Sequence, residues 1–131
     1  MLNQSIITGR LTKDTELRKV NDRSVISFTL ASSRDYKTED GSYPADFIDC
    51  VLWGASAESF QTLTAKGDTI QVTGRLQTRN YKDKKEVNHK VTEVQVDKWY
   101  LVAVSQNQAK TDYPVQEKQL LMIAWIIYHY N

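Results

Sequence analysis

Gly74-Arg75-Leu76-Gln77-Thr78-Arg79-Asn80-Tyr81 decides the fold, because an extended chain sorts these residues by parity. Ile70, Val72, Gly74 and Leu76 fall on one face, and Arg75, Gln77, Arg79 and Tyr81 on the other. The first face suits the inside of a sheet. The second, cationic and ending in a phenol ring, suits a phosphate chain with a base laid beside it. A one-sided sheet turns polar residues to water in any case, so this strand alone leaves a solvated surface equally open.

The residues upstream repeat the period of two. Segments 5–11, 25–33 and 46–53 place Ile7, Gly9 and Leu11, then Ile26, Phe28 and Leu30, then Ile48, Cys50 and Leu52 on common faces. Residues 34–45 are polar, hold Gly41 and Pro44, and read as a long hairpin loop. Ala57, Phe60 and Leu63 recur at helical spacing within residues 55–66, and Gly67 stands where a left-handed residue stops a helix. A fourth strand is predicted over 69–81, a basic turn over 82–85, and a fifth strand over 87–96. The apolar parity of that last strand switches near Thr92, which predicts a bulge or bend there. Three strands, a helix and a two-stranded hairpin make the element order of an OB-fold, a five-stranded Greek-key barrel. The chain of 131 residues, 40% hydrophobic and 25% charged, has room for one such domain over residues 1–105 and a tail over 106–131.

The formal net charge is only +1, but positive charge is concentrated locally. From Arg75 to Lys90 six basic residues face two acidic ones, and from Gly9 to Thr38 seven face four. On strand three, Phe47, Asp49, Val51 and Trp53 point away from Ile48, Cys50 and Leu52, so two large rings lie outward. With Tyr36 in the long loop and Tyr81 on strand four, four rings are interleaved with cations. That is the pattern of single-strand binding, in which stacking contributes ~1–3 kcal/mol per base. A protein interface covering the same rings is the reading from another class.

Catalytic and metal chemistry find little footing. His89, His129 and Cys50 do not make a zinc set, the acidic groups Glu39-Asp40 and Asp46 with Asp49 lack a paired base, and the glycines are too isolated to cradle a phosphate. No enzyme activity, metal or cofactor is expected. Cys50 is the sole cysteine, shares a face with Ile48 and Leu52, and reads as a buried thiol compatible with a reducing cytoplasm. Met1-Leu2-Asn3-Gln4-Ser5 lacks the basic and apolar blocks of a signal peptide, so secretion is not expected.

An ordered series of motifs resembles the single-stranded DNA-binding protein family of bacteria and phages. It runs through Met1-Leu2-Asn3, Gly9-Arg10-Leu11-Thr12, Glu16-Leu17-Arg18, Phe28-Thr29-Leu30-Ala31, Asp46-Phe47-Ile48, Trp53, Ala57-Glu58 and Lys66-Gly67. It continues with Gly74-Arg75-Leu76-Gln77-Thr78-Arg79 and Thr92-Glu93-Val94, so roughly the first hundred residues are covered. The resemblance implies an OB-fold subunit that binds single-stranded DNA without strict sequence preference, without cofactor or catalysis, and usually as a homotetramer. It places base stacking on Tyr36, Phe47, Trp53 and Tyr81. Phosphate contacts fall to Arg10, Arg34, Arg75, Arg79 and Lys82, joined by Lys84 and Lys85 of the basic turn. Neutralising about six phosphates gives a salt slope near −4, at ~0.7 per phosphate on single strands. The alternative within this class is a primosome-type accessory OB protein that acts mainly through protein interfaces.

Two departures stand out. Thr15 and Asn21-Asp22-Arg23 replace a common proline and a glycine-rich turn, changes expected to matter little. The C-terminus is the larger one. Cellular members usually end in an acidic tip that recruits replication and repair proteins, whereas this sequence ends Leu120-Leu121-Met122-Ile123-Ala124-Trp125-Ile126-Ile127-Tyr128-His129-Tyr130-Asn131. The run is shorter than the ~20 residues a bilayer span takes, so no membrane role is expected. It could pack on the barrel, mediate assembly, dock a partner, or reflect translation past a natural stop. The missing tip and short length favour a phage member acting in the cytoplasm of an infected bacterium.

Overall fold

Phe60 organises the interior. A computed structural model describes residues 1–105, and in it the fully buried Phe60 ring stacks on Phe28 at 4.3 Å and meets Trp99 edge-on at 5.0 Å. Burying such a ring contributes ~1.5–3 kcal/mol. Phe60 reaches that position from α1 (Ala55–Leu63), which packs on β3 (Arg23–Ser33) and β4 (Ala45–Trp53). The remaining elements are β1 (Ser5–Leu11), β2 (Arg18–Val20), β5 (Thr69–Lys82) and β6 (Asn88–Ala103).

The sheet order is β1-β5-β6-β4-β3-β2, and β1 also pairs with β3, which closes the sheet on itself. Closure, with α1 between the third and fourth long strands, gives the OB-fold barrel expected from the sequence. β2 adds a sixth, three-residue strand hydrogen-bonded to β3, beyond the five strands expected. A segment with exposed side chains throughout carries no alternation to read. Gly9 lets β1 cross close to β3: a Cβ there would lie 2.8 Å from the Ala31 carbonyl oxygen.

Three expectations are corrected. The helix ends at Leu63 rather than Lys66, with Thr64 already extended, and Gly67 (φ 90°) serves the turn into β5 instead of the helix end. β6 runs on to Ala103 rather than stopping at Val96, and its bulges lie opposite Thr73/Gly74 and Thr69/Ile70. The first shifts the core parity from Val94 and Val96 to Trp99 and Leu101, hiding the strand's second half behind Asp97 and Lys98. No bulge occurs at Thr92, which pairs in register with Thr78. Leu76 is 48% exposed because every β5 residue past Gly74 is exposed, while on β6 burial persists to Val94 and Glu93 and is lost only from Thr92 toward the hairpin tip.

Candidate nucleic-acid interface

Antiparallel register lines up outward side chains in rows across the barrel. On β3 and β4 these rows are Val25–Trp53, Ser27–Val51, Thr29–Asp49 and Ala31–Phe47, and Arg10 of β1 extends the last by pairing with Ala31. The facing wall is the β5–β6 hairpin, where Gln77, Arg79 and Tyr81 pair with Glu93, Val91 and His89. Two depressions of about 400 and 460 Å³ lie between the walls. Tyr81 and Lys13 border the first, Trp53 and Arg18 the second. They share Ser27, Arg79 and Glu93 and so form one groove with an aromatic ring toward each end.

The four expected rings are all on the surface, but they are held differently. Phe47 is 69% exposed on β4. Trp53 covers the outward Val25, and the guanidinium carbon of Arg23 lies 5.0 Å from its ring centroid. Tyr81 stacks on His89, with centroids 5.1 Å apart and planes 23° apart, while the Arg79 guanidinium carbon lies 5.6 Å from it. Tyr36 belongs to the loop between β3 and β4, and its hydroxyl accepts a 2.9 Å hydrogen bond from Arg34 Nη1. Trp53 and Tyr81 line the groove, Phe47 shares its outer row with Arg10, and Tyr36 stands on the loop beyond.

The cations divide more sharply. Arg75 lies on the same strand face as Arg79, and Lys84 and Lys85 sit exposed at the hairpin tip. Arg79 reaches the middle of the groove, where its Nε donates to Glu93 Oε1 at 3.1 Å. Arg34 is fully engaged by Asp46, with Nη2 2.8 Å and Nε 3.2 Å from the carboxylate. The hydrogen bonds from Arg34 hold the Asp46 carboxyl below its usual range, and the same contacts raise the guanidinium further above its own. Alternation turns Lys82 to the side of the strand away from Tyr81, so its placement differs from the other hairpin cations.

Sequence reasoning missed several groups. Arg23, in a turn expected to matter little, lies over Trp53, because the β2–β3 hairpin returns it beside the end of β4. His89, set aside in the sequence as a zinc ligand, stacks on Tyr81. The hairpin turn fixes it opposite Tyr81, a pairing available from the sequence once the turn residues are centred between Lys82 and Asn88. The groove floor also carries two carboxylates: Glu93, 7% exposed, and Asp49, which accepts from Thr29 Oγ1 at 2.8 Å. Beneath them Cys50 is buried, and burial, reinforced by Asp49 and Glu93, pushes its thiol up to about 12, which fits the inert thiol expected. Among the described residues there is no group of three or more His, Cys, Asp or Glu placed to hold a metal ion.

A closed OB barrel with a ring-lined cationic groove over β3, β4 and the β5–β6 hairpin defines an oligonucleotide-binding class of fold. The profile of the Single-strand binding protein family matches residues 2–102, and the chain belongs to that family. It is 42% identical over 112 residues to single-stranded DNA-binding protein 1 of Streptococcus pyogenes serotype M18, covering 85% of this chain and 86% of that one. It is 44% identical over 103 residues to the single-stranded DNA-binding protein of Lactiplantibacillus plantarum, covering 78% of this chain and 52% of the relative. Single-stranded DNA-binding protein 3 of Streptococcus agalactiae is 38% identical over 113 residues, which cover 86% of this chain and 82% of the relative.

Proposed function

We propose that this chain binds single-stranded DNA with little regard to sequence and shields it during replication and recombination. The observation that carries the reading is the groove itself, with Trp53 and Tyr81 at its two ends and Arg79 between them. A base has two π-faces whatever its identity, so rings accept all four bases. Tyr36, Phe47, Trp53 and Tyr81 stack on bases, while Arg10, Arg75, Arg79, Lys84 and Lys85 meet phosphates. Arg34 is better assigned to holding the Tyr36 hydroxyl, since Asp46 already occupies it, and Lys82 faces away from Tyr81. With about five phosphates neutralised instead of six, the salt slope becomes about −3.5. Duplex DNA fits poorly because its bases are already stacked on each other.

Binding is stoichiometric and needs neither cofactor nor catalytic step. The site of action is the bacterial cytoplasm, in an infected host where a phage carries the gene. Assembly as a homo-oligomer, a tetramer in keeping with the family resemblance, is supported by an apolar surface outside the groove. Met1, Leu2, Ile6 and Leu76 are all exposed together, beside the stretch of β1 that pairs only with β5. Asn3 frames this patch by exchanging two side-chain hydrogen bonds with the Leu76 backbone. Replication or recombination proteins remain partners on the accessory-protein reading. The apolar tail, read from sequence as a packing, assembly or docking segment or as translation past a stop, lies outside the described residues. Among those described, no helix is long and apolar enough to cross a membrane.

Competition between a labelled oligothymidine and a duplex of equal length, at two salt concentrations, tests the proposal. Selective, salt-weakened retention of the single strand supports it. Retention of a replication protein with no affinity for the oligonucleotide would favour the accessory reading.

A further inference from the structure

Tyr81 does not stand alone on its hairpin. His89 lies directly across from it in the β5–β6 ladder and stacks against its ring at 5.1 Å. The imidazole is fixed in turn by Asp83, whose Oδ2 lies 2.7 Å from Nε2. The other Asp83 oxygen accepts from the backbone N–H groups of Lys85 and Val87, at 2.8 and 3.0 Å, and so ties down the hairpin turn. One carboxylate therefore links the turn to the imidazole, and the imidazole to the ring at one end of the groove. The His89 side chain is only partly exposed between these neighbours.

We infer that His89 is the positioning residue for the Tyr81 stacking platform, pinned by Asp83 so that the Tyr81 ring stays presented to a base at this end of the groove. The inference rests on the DNA-binding reading of the groove. An imidazole pinned by Asp83 and stacked under Tyr81 restricts the freedom of the Tyr81 ring, so less is lost when a base stacks on its other face. Asp83 is the charged group that faces His89 directly. Around Tyr81 stand Arg79 on the same strand, Glu93 on the paired strand β6 and, across the groove, Lys13 and Asp49. Lys84 and Lys85 cap the turn, and Lys90 follows on β6. Arg79 also lies over the Tyr81 ring but is engaged by Glu93, and Asp49 is engaged by Thr29, so the stacked support of the ring comes from His89.

The test is filter binding of end-labelled oligothymidine by wild type, His89→Ala, His89→Phe and Tyr81→Ala, with urea midpoints reporting that each is folded. His89→Ala loses affinity, and His89→Phe, which keeps a ring under Tyr81, recovers most of that loss. In a Tyr81→Ala background His89→Ala costs little more, because the platform it positions is gone. Equal affinity of His89→Ala and His89→Phe would overturn the positioning role, as would an equal loss from His89→Ala with and without the Tyr81 ring. A wild type that fails to bind would overturn the DNA-binding reading itself, and this inference with it.

Discussion

Replacing Arg79 with alanine separates two jobs that the structure gives one side chain. Its Nε donates at 3.1 Å to Glu93, whose side chain is 8% exposed, whereas the Arg79 side chain is 55% exposed. The pair is thus asymmetric. Solvent screens the cation, so the net ion-pair contribution is at most ~1 kcal/mol. Removing the cation, however, leaves a nearly buried carboxylate with only the 3.4 Å contact from Gln95 Nε2, and an unsatisfied buried acceptor costs ~1–3 kcal/mol. Arg79→Ala should therefore lower unfolding free energy by about 1–2 kcal/mol. Glu93→Gln in the same chain should recover most of that loss, because the stranded charge is gone. Oligonucleotide binding should behave differently. Both variants lose a phosphate contact, which flattens the salt slope by ~0.7 and costs about fivefold at about 0.1 M salt. The single variant binds more weakly than the double, since its bare Glu93 faces the phosphates. Urea denaturation and fluorescence titration at several salt concentrations read the two effects separately. Equal urea midpoints for the single and double variants, or a salt slope unchanged by Arg79→Ala, would refute the reasoning.

Trp53→Ala and Tyr81→Ala should each weaken oligonucleotide binding by ~1–3 kcal/mol while the chain stays folded and assembled; titration beside sedimentation checks both, and lost assembly with unchanged affinity would move these rings to a protein interface. Gly74→Ala should destabilise the barrel by ~1–3 kcal/mol or more, because its Cβ would lie 2.1 Å from the Gln95 carbonyl oxygen, on backbone that cannot swing aside; a lowered urea midpoint is the readout. Asp40 accepts hydrogen bonds from Thr38 Oγ1 and from the Ser42 hydroxyl and backbone, which hold its carboxyl at about 2. That depressed value stabilises the long loop at pH above the ordinary 3.8, and the stabilisation is lost as pH falls toward 2. Thr38→Ala should move the carboxyl midpoint, read by NMR titration, up toward 3.8.

The parts of this fold that were legible in the sequence are those where burial imposes a period. Ile26, Phe28 and Leu30, or Ile70 and Val72, alternate because one side of each strand is core, and the OB order follows from where such segments lie. Legibility ends where that constraint ends. Past Gly74 the β5 side of the hairpin is exposed on both faces, so Leu76 looks internal in sequence and is exposed in the structure. At Asp97 a bulge moves the core from one parity to the other, and Trp99, an edge-on partner of Phe60, escapes an alternation scan. The rings of the groove were visible because apolar residues on a polar face are conspicuous at Phe47 and Trp53. Their supports were not. Arg23 over Trp53, Arg34 under Asp46 and His89 beneath Tyr81 depend on long-range register and side-chain pairing, which local spacing does not encode.

The central claim is that bases stack in the groove between β4 and the β5–β6 hairpin. Its most direct test is titration of intrinsic tryptophan fluorescence with oligothymidine, in wild type and in Trp53→Phe. Trp99 is buried against Phe60, remote from solvent, so Trp53 should report groove occupancy among the described residues. The expected result is saturable quenching by the single strand, weakened by salt, that largely disappears in Trp53→Phe while the oligonucleotide is still bound. Binding with no quenching in wild type, or quenching that survives intact in Trp53→Phe, would contradict stacking at this site.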